Sequence, residues 1–345
     1  MEKSRESRRS RQAGATLEEG RKEMTVLVTG GAGYIGSHTA RALRHAGYDI
    51  VILDSLEFGS KDAVLGAPLV VGDIADFDLV ADTCRKYSVT SCVHFAAYKS
   101  VGESMEKPAR YIRNNVAGTA SLAEALTASD VDKIVFSSSC SVYGTPAVVP
   151  VTESAPINPE SVYADTKAMA EKVLGWFDKT HGMKSVSLRF FNAAGASMDA
   201  AIGEDWTVTL NLIPIVMKAL LGKRGPLEVF GTDYPTPDGT AIRDYIHVED
   251  LAAAHVKAIE YLHKGGPTTA INAGTGTGSS VLEVLKATER ITGQAVPHTF
   301  GPRRAGDPSA TFADPTNCER VLGWKATHGL DAIIESAYRW HSTSN

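Results

Sequence analysis

Apolar residues along this chain follow two alternating rhythms. Short aliphatic runs, Thr25–Val28, "DIVILD" (49–54), "PLVVGDI" (68–74), "SCVHFAAYKS" (91–100) and "KIVFSSSCSVYG" (133–144), read as buried strands. Between them the spacing turns helical. Ile35, Thr39 and Leu43 share one face before Gly47 stops that helix, and 109–128 forms another. After the Pro-rich "APINPE", Met169, Ala170, Val173, Leu174 and Phe177 recur at helical spacing. Strands alternating with helices predict an α/β fold with a doubly wound parallel sheet, whose ligands sit at the carboxyl ends of the strands.

The turn after the first strand narrows the function. Gly30, Gly33 and Gly36 fit G-x-x-G-x-x-G, while Gly31, Gly33 and Gly36 fit G-x-G-x-x-G. In either register the missing side chains let backbone approach a pyrophosphate, and the following helix N-terminus supplies N–H donors. A strand precedes, a helix follows, and Asp54 ends the second strand, so the unit reads as dinucleotide-binding. Asp54 suits ribose hydroxyls and repels a 2′-phosphate, which favours NAD over NADP. Asp73, Lys99 and the hydroxyls of Ser137, Ser138, Ser139 and Ser141 fall at further strand ends. Tyr163 and Lys167 lie one helical turn apart, where a lysine ammonium lowers a phenol toward general-base range.

Composition leaves this picture standing and removes others. The chain has 345 residues, 43% hydrophobic and 22% charged, with net charge −5, which points to neither a nucleic-acid nor a membrane surface. No apolar run approaches the roughly 18 residues of a membrane span. Cys84, Cys92, Cys140 and Cys318 are scattered without C-x-x-C, as in a reduced cytoplasmic protein, and no metal site is assigned. His94 and His247 read as structural, and Asp250 in "HVEDLA" reads as a helix N-cap. Residues 1–23 are polar without an apolar core and read as a disordered extension.

Several stretches then resemble the extended short-chain dehydrogenase/reductase family and, within it, the UDP-glucose 4-epimerases. They are "VLVTGGAGYIGSHT", "GDI", "VHFAAYKSVGES", "NNVAGT", "FSSSCSVYG", "YADTK", "RFFNAAGA", "FGTDYPTPDGTAIRDYIHVEDLA" and "PRRAGD", spanning about Met24 to Trp340. The resemblance implies Ser139 and Tyr163 as catalytic pair and Lys167 as anchor of the cofactor ribose. It places Gly30, Gly33, Tyr34, Ile35, Gly36, Asp54, Ser55, Ser60, Asp73, Ile74, Phe95, Ala96, Ala97, Lys99, Asn115 and Phe191 against NAD. It places Asn192, Asn211, Leu212, Val229, Phe230, Arg243, Arg304, Asp307 and Thr311 against a UDP-sugar.

The implied activity interconverts UDP-galactose and UDP-glucose through a 4-keto sugar, with NAD retained. Thr311 stands where strict enzymes of the group carry tyrosine, which implies room for an N-acetylamino group at sugar C2. Dehydratases on this fold typically carry Asp-Glu just after the catalytic hydroxyl, where this chain has Cys140 and Ser141; a dehydratase, a decarboxylase or a non-catalytic NAD-binding protein are the alternatives. Residues 24–190 are expected to form the NAD-binding domain and 191–345 mainly the UDP-sugar domain, with segments returning to the first. Helices 109–128 and 163–178 carry surplus apolar residues, and the family pairs such helices in homodimers.

Overall fold

The computed structural model describes residues 24–206, 211–304 and 306–343. The extension expected over residues 1–23 lies outside the described residues. Seven strands build the central sheet: β1 (Thr25–Thr29), β2 (Asp49–Asp54), β3 (Leu69–Val71), β4 (Val89–His94), β5 (Lys133–Ser137), β6 (Lys184–Phe190) and β7 (Thr269–Ala273). They lie in the order β7-β6-β5-β4-β1-β2-β3, each pair parallel. The winding reverses between β1 and β4, which opens a crevice at the carboxyl ends of those two strands.

Alternation along the strands feeds two cores. Val26, Val28, Ile50, Ile52, Val93 and Val135 face one side, where α1 (Tyr34–His45) packs. Leu27, Val51, Leu53, Cys92, Ile134 and Phe136 face the other, under α2 (Phe77–Tyr87), α3 (Gly118–Ala128) and α4 (Val162–His181). A sheet buried on both faces explains why its strands read as near-continuous apolar runs. The helix expected over 109–128 starts at Pro108 and contains a π-type turn over Ile112–Ala117, which carries Asn115. Ser161 caps α4 through the Ala164 N–H (3.2 Å), and Gly182, at φ 75°, ends it.

After β6 the chain leaves the sheet to build a smaller lobe. Helices Leu212–Leu220, Val281–Thr292 and Leu330–Thr343 enclose Ile213, Val216, Met217, Val284, Ile333 and Ile334. Short strands tie the lobe together: Leu227–Phe230 pairs with His298–Gly301, and Ile242–Arg243 lies between Ser279–Ser280 and Ala310–Thr311. Between these visits α5 (Val248–His263) packs beside α1, and β7 joins the edge of the main sheet.

Candidate active site

The glycine turn after β1 is shaped by close approaches. Gly30 has φ 70°, and a Cβ there would lie 2.6 Å from the Ala96 nitrogen beyond β4. A Cβ on Gly36 would collide with the Gly30 carbonyl oxygen, so α1 sits directly on the turn. Gly33 differs. It is the N-cap of α1 without a side-chain cap, and a Cβ there would meet only the Gly30 oxygen at 3.3 Å. That open cradle in front of uncapped helix N–H groups fits a dinucleotide pyrophosphate.

Asp54, buried at the end of β2, accepts from the Ala32 N–H (2.9 Å) and the Leu56 N–H (2.8 Å). Both oxygens keep a lone pair for ribose hydroxyls. Around the cradle, the Ser60 N–H donates to Ala32 O (3.0 Å), Ser55 Oγ accepts from the Glu57 N–H (3.3 Å), and Asp73 accepts from the Ala75 N–H (2.9 Å). Ile35 and Ile74 turn their side chains into the cores, which leaves their backbone for a ligand. Phe95 packs on the His255 ring at 4.7 Å, and Phe191 is buried. Ala96 and Ala97 are half-buried beyond β4, and Lys99 reaches Glu204 of the second lobe at 3.5 Å. Tyr34 donates to Gly195 O (2.6 Å), a second bond between the lobes. Asn115 spends its amide on both backbone groups of Tyr98 (2.9 and 3.0 Å) and on Thr166 (3.1 Å), so it holds the β4 loop against α4.

Ser139 follows β5. Its Oγ accepts from the Ser141 N–H (3.2 Å) and hydroxyl (2.9 Å). With both lone pairs engaged, its own proton is left to donate. Tyr163 is placed by its N–H, which donates to Ser104 Oγ at 3.1 Å. Burial pushes the Tyr163 phenol up to about 12, while the Ser139 side chain beside it pulls the other way. Lys167 lies 6.0 Å from the Tyr163 ring and donates to Ser137 O at 2.8 Å. Burial lowers Lys167 to about 7, against the pull of Glu171. The helical spacing predicts a phenol lowered by the lysine ammonium or by the positive charge of an oxidised nicotinamide, and only the first acts in the chain alone. In the folded chain desolvation of the phenol outweighs the pull of the Ser139 hydroxyl, so the shift runs upward.

Among the UDP-sugar residues, Arg243, Arg304 and Asp307 come together. Asp307 accepts from Arg304 Nε and Nη2, both at 3.1 Å, and lies 3.7 Å from Arg243. Arg304 also stands over the Phe230 ring at 5.7 Å. Two guanidiniums against one carboxylate leave a net positive cluster suited to a diphosphate. Thr311 pairs in register with Arg243. Asn192 is tethered to Asp244 O (3.1 Å), and Asn211 lies 3.4 Å from the Glu204 carboxylate. Val229 faces the second-lobe core and Leu212 packs against it, so only their backbones remain for a ligand. Asp244 does not pair with Arg243: it is buried and accepts from Thr275, Gly276 and Ala313 N–H groups.

Residues 26–274 match the family described as NAD dependent epimerase/dehydratase. A UDP-glucose 4-epimerase of Lactobacillus helveticus is 45% identical over 322 residues, 93% of this chain and 98% of the relative. The chain belongs to the UDP-glucose 4-epimerase group of the NAD dependent epimerase/dehydratase family. Solved members superpose closely. The UDP-glucose 4-epimerase of Brucella ovis in complex with NAD is 46% identical with TM-score 0.90, covering 92% of this chain and 98% of that one. The UDP-Glc/GlcNAc 4-epimerase of Campylobacter jejuni is 37% identical with TM-score 0.82, covering 92% and 99%.

Two features of this epimerase-family site escaped the sequence reading. Asp250 is not an N-cap. The His247 ring caps α5 through the Glu249 N–H (3.1 Å), and the Asp250 carboxylate turns to the Thr327 and His328 N–H groups (2.9 and 2.8 Å). Glu171 touches the end of β5 beside Ser139, and its signal was the continuation of the Tyr163–Lys167 face by a further four residues. His94 is structural, as expected, with Thr29 and Thr119 hydroxyls at its two nitrogens (2.7 and 3.0 Å). Cys140, raised to about 12 by burial, is an inert thiol.

Proposed function

We propose that this chain interconverts UDP-galactose and UDP-glucose by oxidation at sugar C4, turning of the 4-keto sugar and reduction from its other face. The reading rests chiefly on one arrangement: a Ser139 hydroxyl whose oxygen accepts twice from Ser141 and whose side chain bonds Tyr163, beside Lys167, between a dinucleotide cradle and the Arg243–Arg304 cluster. NAD, when bound, supplies a hydride acceptor and a positive charge at sugar C4. Tyr163, as phenolate, takes the 4-hydroxyl proton and later returns it. Ser139 donates to the same oxygen and holds the carbonyl of the 4-keto sugar. Lys167, once protonated, stabilises the phenolate and anchors the cofactor ribose. Arg243, Arg304 and Phe230 retain the UDP handle while the sugar turns, so binding is concentrated on the nucleotide.

The test is conversion of UDP-galactose followed by NMR. Tyr163→Phe is expected to keep bound NAD and to lose at least about 100-fold in kcat, the scale of general acid–base help. A 4-keto-6-deoxy product would assign a dehydratase instead, and no conversion by wild type would leave an NAD-binding protein.

Finer features belong to the same reading. Residues 24–190 carry the NAD half, and 191–345 mainly the UDP-sugar half. The pocket also admits UDP-GlcNAc and UDP-GalNAc, because Thr311 places a small residue beside Arg243. Two copies pair through helices 109–128 and 163–178, on which Ile112 and Trp176 are 44 and 63% exposed. Light scattering should give twice the chain mass, and a monomer at micromolar concentration would remove the pairing. The four cysteines are free thiols, which suits the cytoplasm. No described helix is long and apolar enough to cross a membrane.

A further inference from the structure

Lys167 and Glu171 stand four residues apart on α4, and both reach the end of β5. Lys167 donates to Ser137 O at 2.8 Å, and Glu171 accepts from the Ser138 hydroxyl at 2.6 Å. The next residue is Ser139. One helical turn thus grips two consecutive residues immediately ahead of the hydroxyl that meets the substrate.

Glu171 is itself fixed. Arg189 of β6 donates to it from Nε (2.9 Å) and Nη2 (2.6 Å), a forked pair whose side chains are 9% and 14% exposed. Arg189 Nη1 donates to the Tyr143 hydroxyl (2.9 Å), which donates to Asn272 Oδ1 on β7 (2.7 Å). The Asn272 amide then donates to Val151 O (2.9 Å). A nearly dry ion pair adds little stability over apolar residues of the same shape, since desolvation cancels most of the attraction. Its position against the catalytic turn is therefore the informative fact.

We propose that Glu171, clamped by Arg189, is a positioning residue that aims the Ser138–Ser139 turn at Tyr163 and serves as the counter-charge of Lys167. The inference rests on the epimerase reading above. Burial lowers Lys167, and Glu171 opposes that shift. The titratable groups facing these side chains are His94 on β4, Tyr163 on α4 with Tyr111 and Cys140 beside it, Tyr143 after β5, Arg189 on β6, and Glu153, which accepts from the Asn272 N–H. Removing the Glu171 charge leaves Arg189 uncompensated, which acts on Lys167 in the same direction: the ammonium loses its proton at lower pH.

The experiment compares wild type, Glu171→Gln, Ser138→Ala and Tyr163→Phe on UDP-galactose across the neutral-to-alkaline range. In Glu171→Gln, kcat is expected to fall about tenfold or more with KM within about twofold, and the alkaline limb to move to lower pH. Ser138→Ala, a small change that keeps the ion pair, is expected to lower kcat about threefold or more without moving that limb. An unmoved alkaline limb in Glu171→Gln, or an unchanged kcat in Ser138→Ala, overturns the proposal. Should Glu171→Gln not fold, Ser138→Ala decides alone. Wild type inert on UDP-galactose would overturn the functional reading and this inference together. An active wild type, a dead Tyr163→Phe and an unaffected Glu171→Gln would overturn this inference only.

Discussion

Lys167 drives its ammonium 2.8 Å from the main-chain carbonyl of Ser137, in a site where the side chain is only 5% exposed. This contact supports the site at the expense of the fold. Burial takes Lys167 from 10.5 to about 7. Between those values the unfolded chain holds a proton that the folded chain lacks, so stability rises with pH through that window. Below it the full desolvation cost applies, on the order of several kcal/mol. The lost charge-assisted hydrogen bond in Lys167→Met is worth less, about 1.5–3 kcal/mol. Ligand-free Lys167→Met is therefore expected to melt above wild type at and below neutral pH, with the gap closing in alkali. Calorimetry at several pH values checks this; a mutant that melts lower at every pH would refute the desolvation argument.

The glycine turn separates folding from cofactor binding. Alanine at Gly36 brings a helix-propensity gain of about 1 kcal/mol. It also drives a Cβ into the Gly30 carbonyl, so Gly36→Ala is expected to lower both Tm and NAD retention. Alanine at Gly33 meets only one atom at 3.3 Å, with its methyl in the cradle. Gly33→Ala should keep Tm within a few degrees yet lose bound NAD. Equal NAD content in wild type and Gly33→Ala would show that the cradle does not hold the pyrophosphate.

Much of this site was legible from local pattern. The strand, glycine turn, helix and Asp54 fall within about thirty consecutive residues, and Tyr163 with Lys167 needs only helical geometry. The second lobe was not legible in this way. Arg243 and Thr311 are neighbours through strands of two residues each, too short to show any periodicity, so resemblance alone joined them. Asp250 was misread because acids are common both at N-caps and in the first turn, and only the packed 327–328 loop tells which. The direction of the Tyr163 shift depends on desolvation, which a spacing argument does not contain. The Glu171–Arg189 pair joins α4 to β6, a contact set by the sheet order.

Buried histidines set the acid limit of the fold. Burial lowers His38, His247, His255 and His341 to about 4 and His94 to about 3. Their unfolded values are near 6.5, so the folded chain binds fewer protons below that pH. Stability is full above the unfolded value and drains as pH falls toward the folded ones. His255→Asn and His94→Asn should each flatten the slope of Tm against pH in the acid range. A slope identical to wild type in both would assign acid unfolding to carboxylates instead.

Thr311 tests the breadth of the sugar pocket. It lies in register with Arg243, and its hydroxyl is buried with no hydrogen-bond partner among the described residues. That oxygen has no surface open to a ligand, so what threonine offers the substrate is its small size rather than its hydroxyl. An acetamido group at sugar C2 is bulkier than a hydroxyl, and threonine fills less of the pocket than a tyrosine there would. UDP-GlcNAc turnover is therefore expected alongside UDP-glucose turnover. Thr311→Tyr should lower kcat/KM for UDP-GlcNAc selectively, by steric exclusion worth about 1–3 kcal/mol or more. Thr311→Val keeps the volume and removes the hydroxyl, so it separates the two causes: a selective loss of about tenfold would assign the effect to the hydrogen bond. If Val behaves as wild type and Tyr alone discriminates, size is the gate. If the parent ignores UDP-GlcNAc, or if Tyr lowers both substrates equally, Thr311 does not select at C2.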